Sequence, residues 1–412
     1  MLRHYLLLSV KVLLRRKVFT AISLFGITAT LVVFVVIAAM IDHGFGPSVP
    51  ETRLDRQLSV MRVSMYGEQF FMNSSGSYAL FDRHARNLPG VDHLSIFSGS
   101  DSVDLFPDGR KVSLQVKRTD GDFWKVFEFP FLEGRPYTTS DVDNAEFVAV
   151  LSAHARDRIF GPGPAAGRTI EADGQRFRVV GVVANVSEMR ALPFADFWVP
   201  FTTAKGLQRE GDEIMGGYQA ALVATTRAAL PDIRAEFDAR VARLDRPSGV
   251  ISIVAPFETQ FEGWSRQLFN DRSASNKAPR MIALLATIGL LLAVLPAVNL
   301  VNLNISRIME RASEIGVRKA FGASSRMLVT QFVVENVLLT CVGALLAMVL
   351  SWLVLRGINQ SGMIANAQLG LNYRVLLAGF VLAILFGLLS GVYPAWRMSR
   401  LHPITALKGQ SR

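Results

Sequence analysis

The stretch ERASEIGVRKAFGASS, Glu310 to Ser325, carries five charges and a helical rhythm, yet it lies between two of the most apolar runs in the chain. Upstream, residues 281–306 hold no charge; downstream, residues 336–355 hold none. Two further charge-free runs occur at 18–41 and 375–396. Each reaches the roughly 20 residues needed to cross a bilayer as a helix. A mean hydropathy of +0.30 over 412 residues is high for a wholly soluble protein. The expectation is an α-helical membrane protein with four transmembrane helices, at 18–41, 281–303, 329–355 and 375–396. A large α/β extracytoplasmic domain falls between the first and second.

Charge sets the orientation. Residues 1–17, 304–328 and 397–412 together contain 14 Lys/Arg and two acids, Glu310 and Glu314, whereas residues 42–280 contain 28 Lys/Arg and 31 Asp/Glu. The basic excess therefore sits in the short segments, which places both termini and the 304–328 segment in the cytoplasm and residues 42–280 outside. The net charge of +10 is a topology signal, and a nucleic-acid partner, which needs a basic patch on a folded domain, is not expected. A cleaved signal peptide is the rival reading of the first run, because Arg15, Arg16 and Lys17 precede it. A charge-free run of 24 residues exceeds the roughly 7–15 of a signal core and favours an uncleaved anchor. Residues 1–17 space Leu2, Leu6, Val10, Leu13 and Leu14 near a helical period among basic residues, which suits an amphipathic helix on the inner membrane surface, in contact with lipid headgroups.

Residues 42–280 read as mixed α/β. Strand-like runs (LSVMRVSM, HLSIFS, KVSLQVKR, FVAVLS, RFRVVGVVANV, ALVATTR, ISIVAP) are separated by helical stretches at 80–87, 153–160 and 233–244. Composition breaks suggest a small subdomain at 120–186 inserted into a discontinuous one at 52–119 and 187–270. Residues 271–280 form a polar re-entry linker or a helical stalk into the second span, 356–374 a short external loop, and 397–412 a cytoplasmic tail.

The chain lacks the usual catalytic constellations. It has no GxxxxGK[ST], HExxH, CxxC or GxSxG, its six histidines are scattered, and its one cysteine, Cys341, lies in the third apolar run. Asp141, Asp143 and Glu146 have no glycine where a Ca²⁺ loop turns, and read as a solvated loop. No catalytic, cofactor or metal residues are expected. Glu335 is the one acid inside a predicted span, where ionisable groups are costly, so it is assigned a structural or coupling role. Asn299 and Asn302 (with Asn304) are placed to hydrogen-bond between helices at the inner end of the second span, and Pro296 to kink it.

Taken as a helix, residues 305–321 gather Ile305, Ile308, Met309, Ala312, Ile315 and Ala320 on one side. Arg307, Glu310, Arg311, Glu314 and Arg318 point elsewhere, with Glu314 and Arg318 an i,i+4 pair, and Gly322 provides a stop. Such an element either transmits displacement between a cytosolic partner and two spans, or is a basic connector that only fixes topology.

The run from Arg311 through Glu314, Ile315, Gly316, Arg318, Lys319 and Gly322 to Ala323, then Gln331-Phe332 and Glu335, resembles the signature of the MacB/FtsX family of ABC transporter permeases. Tyr393-Pro394-Ala395 through Arg397, Arg400, Leu401, Pro403 and Ala406-Leu407 resembles that family's C-terminal segment. DFWKVFEFPFLEGRPYTTSD, VAVLS with ARDRIFG, AAGRTIEADG and FRVVGVV are similar to the periplasmic core domain of MacB-type members. The resemblance implies a four-helix, non-catalytic permease of the bacterial inner membrane that dimerises with a second copy or a paralogue. Arg311, Glu314, Ile315, Gly316, Arg318, Lys319 and Gly322 would form its coupling helix, with Glu335, Asn299, Asn302 and Pro394 in structural roles. ATP and Mg would act on a partner ATPase; no ATPase precedes the first span, so this chain is expected to borrow one. Export of small amphiphiles or peptides by mechanotransmission is the implied function, with a periplasmic adaptor and an outer-membrane channel as further implied partners. A lipoprotein-releasing or cell-wall-hydrolase-regulating role is the alternative within the fold. An ATP-independent sensor or scaffold is the alternative outside it. Phe321 departs from the family, where many members carry Leu.

Overall fold

The computed structural model describes residues 10–205 except 12 and 16, then 213–269, 276–310, 317, 324–364, 366, 368–371, 376–381, 384–385 and 388. The chain divides into two compact units, one of residues 1–43, 282–361 and 369–412, the other of residues 44–281 and 362–368.

Helix α1 spans Lys17–Phe45, all but its last two residues in the first unit. Two later helices span Ala278–Glu310 and Ser325–Ser361. The stretches Thr20–Phe45 and Val329–Ser361 are long and apolar enough to cross a membrane, and only 28% of each apolar window is buried. The core helix of a soluble protein would be covered, so this exposure fits helices solvated by lipid. Ala278–Leu292 is a shorter apolar stretch. Two of the four expected spans are thus supported among the described residues; most of the fourth lies outside them. The helix Ala278–Glu310 runs on through Pro296.

Helices Lys17–Phe45 and Ser325–Ser361 meet at Gly343. Ile27, Leu31, Leu339 and Ala347 are buried together, and Thr28 Oγ1 donates to the Gly343 carbonyl at 3.2 Å. A Cβ on Gly343 would stand 2.8 Å from Ile27 Cγ2. The absent side chain is what lets the two backbones approach, as at other interfaces between membrane helices.

The second unit is a long, mainly antiparallel sheet. Its strands are β1 (Gln57–Val60), β2 (Val63–Gly67), β3 (Phe71–Gly76), β4 (Val91–Leu105), β5 (Val112–Thr119), β6 (Phe131–Gly134), β7 (Val148–Ser152), β8 (Thr169–Ala172), β9 (Gln175–Val183), β10 (Phe197–Pro200), β11 (Met215–Gly216), β12 (Tyr218–Ala224) and β13 (Val250–Val254). Among the described residues the order is β13-β2-β3-β12-β4-β5-β10-β7-β9-β6, with β1 on β12, β11 on β3 and β8 on β9. The pairs β5/β10 and β7/β9 are parallel. The sequence run LSVMRVSM, uniform in composition, divides at Met61-Arg62: β1 pairs with β12 and β2 with β3.

Strand β4, 15 residues long, joins the two ends of the sheet. Its first part pairs with β12 from Val91 to Ser98. Its second pairs with β5 from Ser100 to Leu105 after a register shift between Phe97 and Ser100. One core lies under β1, β2, β12 and the start of β4, closed by helices Tyr78–His84 and Leu230–Ala242. Ile233, Phe237 and Val241 form its helical stripe, spaced four residues apart. A second core, under β5, β7, β9 and β10, is closed by helix Ala153–Phe160. Ser152 caps that helix by accepting from the Ala155 N–H, and Gly161 ends it at φ 75°. A third cluster is aromatic, gathering Phe97, Phe123, Phe127, Phe129, Trp198 and Phe201.

Candidate functional site

Of the residues singled out for coupling, Arg311, Glu314, Ile315, Gly316, Arg318, Lys319 and Gly322 lie outside the described residues, as does Pro394. Asn299 and Asn302 fall within helix Ala278–Glu310, with only their backbone described. Glu335 is described. It lies in helix Ser325–Ser361, 4% exposed, among the buried Gln331, Asn336, Leu339 and Thr340. Ionisable and polar groups in a bilayer helix are costly in hydrocarbon, and this burial places Glu335 toward protein.

The best-defined polar constellation sits where the chain leaves its first span. Residues 46–56 make no strand or long helix, so their backbone groups need partners elsewhere. Glu51 is 0% exposed and Arg190 1%. Arg190 Nη1 stands 2.9 Å from Glu51 Oε2, and Nη2 donates to the Gly46 carbonyl at 2.7 Å. Gln57 Nε2 donates to the other Glu51 oxygen at 3.5 Å. Just beyond, Thr52 hydrogen-bonds Glu128, Arg53 Nε lies 3.3 Å from Glu128, and the Glu128 N–H donates to the Pro50 carbonyl at 2.8 Å. Burial raises the Glu51 pKa, and the Arg190 guanidinium opposes that rise.

The loop 187–196 that carries Arg190 is held along its length. Lys117 Nζ donates to the Ala191 and Leu192 carbonyls at 3.0 and 2.5 Å and lies 5.3 Å from the Phe97 ring centroid. Trp198 Nε1 donates to the Pro193 carbonyl at 3.2 Å, and Ser100 Oγ to that of Phe194 at 2.9 Å. Lys117 is 1% exposed, and burial lowers its pKa from 10.5 to about 7 against the pull of Glu51. On the next turn of chain, Asp120 accepts from Ser95 Oγ at 2.6 Å, Ile96 N at 2.9 Å and Phe123 N at 3.1 Å. Burial outweighs those donors and raises its pKa from 3.8 to about 6.

No nucleophile and base are paired in this arrangement, and among the described residues no three His, Cys, Asp or Glu side chains are placed to hold a metal. What it can do is mechanical. A buried charge pair and a set of charge-assisted hydrogen bonds hold residues 46–53 against Arg190 and Glu128, and such bonds are shorter and stronger than neutral ones.

Sequence reading missed this junction. Glu51 and Arg190 are 139 residues apart, and neither stands in a motif. Lys117 offered no signal either: alternation along β5 calls for an exposed side chain beside Val116, yet Val116 and Lys117 are both buried.

A family model for the MacB-like periplasmic core domain matches residues 20–240, and one for the FtsX-like permease C-terminal region matches residues 286–403. The chain is 26% identical over 295 residues to the pyoverdine export ATP-binding/permease protein PvdT of Pseudomonas aeruginosa, covering 70% of this chain and 41% of that protein. It is 24% identical over 325 residues to the uncharacterized ABC transporter permease YvrN of Bacillus subtilis, covering 78% of this chain and 76% of that one. A solved structure of the periplasmic region of MacB from Actinobacillus actinomycetemcomitans aligns at 14% identity and a TM-score of 0.37, over 53% of this chain and 94% of that one. The chain thus spans less than half of its PvdT relative.

Proposed function

This chain belongs to the MacB/FtsX family of ABC transporter permeases, and from that premise we propose that it is the membrane subunit of a MacB-like export system. ATP hydrolysis occurs on a separate ATPase that contacts the 304–328 segment from the cytoplasm. Movement there passes through the spans and, at the exit of the first, through Gly46, Glu51 and Arg190 into the periplasmic sheet. Two such subunits work as a dimer. The cargo class is a small amphiphile or peptide taken from the periplasm, in keeping with the export functions in the names of relatives.

The observation that carries the reading is the order of the two matched regions. The match to the periplasmic core domain, residues 20–240, opens on the first apolar helix, and the FtsX-like match follows it at 286–403. The buried Glu51–Arg190 junction supports it, since a chain that transmits force needs a stiff joint at that place.

The test is gentle solubilisation of the tagged chain from native membranes, identification of what co-purifies, and repetition with Glu314 and Arg318 reversed together. A P-loop ATPase present with the wild type and lost with the variant is the expected result. No ATPase in either sample, with the chain still folded, would overturn the proposal in favour of a sensor or scaffold.

A further inference from the structure

The helix Gln260–Phe269 (QFEGWSRQLF) is built the wrong way round for a domain surrounded by water. Its charged side faces inward, toward helix Leu230–Ala242 and residues 258–259. Glu262 pairs with Arg234 at 2.6 Å and accepts from the Thr259 N–H at 2.7 Å, while Arg266 pairs with Glu258 at 2.6 Å. Gly263 lies on the same side, where a Cβ would meet Met61 Sδ at 3.3 Å. On the opposite stripe, Trp264 and Leu268 point outward at 45% and 56% exposed, and the half-buried Phe261 shares their side at i, i+3 and i+7. A soluble domain would reverse the two faces.

One ring reaches that stripe and fixes its depth. Phe45 packs edge-on against Phe261 at 5.4 Å and against Trp264 at 5.8 Å between centroids. Phe45 is the last residue of helix α1 and stands four residues beyond Ile41, where the charge-free run ends. Four helical residues rise about 6 Å, whereas the headgroup layer on each side of the hydrocarbon is roughly 5–8 Å deep. The ring that Trp264 touches is therefore at headgroup level.

We propose that the Phe261–Trp264–Leu268 face of this helix docks into the outer surface of the membrane, its rings at the boundary between headgroups and acyl chains. The occupant of the face is lipid. An amphipathic stripe of aromatic and aliphatic residues at that depth has the chemistry of an interfacial helix, and an indole there keeps its ring in the apolar layer and its N–H among the headgroups. The proposal needs only that α1 crosses the bilayer; it holds whether or not an ATPase drives the chain.

The test uses the full chain in nanodiscs of phosphatidylethanolamine and phosphatidylglycerol. With Cys341→Ala as background, a nitroxide is attached at Leu268→Cys or, as a water-facing reference, at the exposed Asn73→Cys. The collision ratio of oxygen to a soluble nickel chelate is expected to be several-fold higher at 268 than at 73. A ratio equal to that at 73 would show a water-facing helix. A label at 268 shielded from both reagents would show that protein, such as a second copy of this chain, covers the face; either result overturns the proposal. A second measurement leaves the face unlabelled: in Trp352→Phe/Trp396→Phe protein, lipids brominated near the headgroup end should quench fluorescence, and Trp264→Phe should abolish that quenching. Unchanged quenching after Trp264→Phe counts against it.

Discussion

Arg190 and Glu51 form an ion pair of 2.9 Å in which neither side chain sees solvent, and the same guanidinium holds the carbonyl of Gly46 at the mouth of the first span. Breaking such a pair from one side strands a buried charge, which typically costs about 3–5 kcal/mol, while replacing both partners by apolar groups of similar size is often close to neutral. Arg190→Met is therefore expected to lower the thermal stability of the purified chain sharply, and Arg190→Met with Glu51→Leu to recover most of the loss. If the double variant is as unstable as the single, the pair is not what holds the junction.

The two titratable groups beside this junction act in separate pH windows and in opposite directions. Lys117 has a folded pKa of about 7 against an ordinary 10.5. Between those values the unfolded chain binds the extra proton, so stability rises with pH across that window. Asp120 has a folded pKa of about 6 against 3.8. There the folded chain holds the extra proton, and stability falls as pH rises from about 4 to 6. Chemical denaturation of the purified chain across pH should show both slopes. Lys117→Met is expected to flatten the alkaline one alone and Asp120→Asn the acid one alone.

Gly343 tests the helix contact in the first unit. A Cβ there would stand 2.8 Å from Ile27 Cγ2, and overpacking of a tight interface costs about 1–3 kcal/mol. Gly343→Leu should lower the unfolding temperature in detergent, and Ile27→Ala in the same chain should restore part of it by clearing the space. Absence of any rescue would place the damage elsewhere.

The proposed coupling segment makes a prediction about function rather than stability. Charge reversal of Glu314 or of Arg318, or Gly316→Trp, should abolish ATP-driven export while leaving the amount of membrane-inserted chain unchanged. Export preserved in all three variants would rule out a coupling role for this segment.

Elements with local causes are legible in the amino-acid sequence. Helix Ala153–Phe160 has its serine cap, its apolar stripe and its terminal glycine within ten residues, and its predicted and observed bounds coincide. The helix predicted at 233–244 begins at Leu230 instead, because Pro231 in the first turn starts it early. What depends on distant partners is not legible. Nothing in LSVMRVSM says that its two halves pair with different strands, since that choice is made by β12 and β3 about 10 to 160 residues later. The burial of Lys117 and Arg190 rests on carbonyls and a carboxylate that no local pattern reveals. The outward face of Gln260–Phe269 could have been found from its apolar spacing, but only the ring of Phe45 gives it a depth.

Strand β4 bears on how the periplasmic unit responds to load. Its 15 residues reach about 50 Å at the usual strand rise, and both ends of the sheet hang on it. Separating those ends would mean tearing a ladder on one side or the other, with β12 or with β5. The ladder is interrupted at the register shift between Phe97 and Ser100, where a bulge bends the strand and adds right-handed twist. The two halves of the sheet thus share one strand, and the twist between them is set where that strand changes partner.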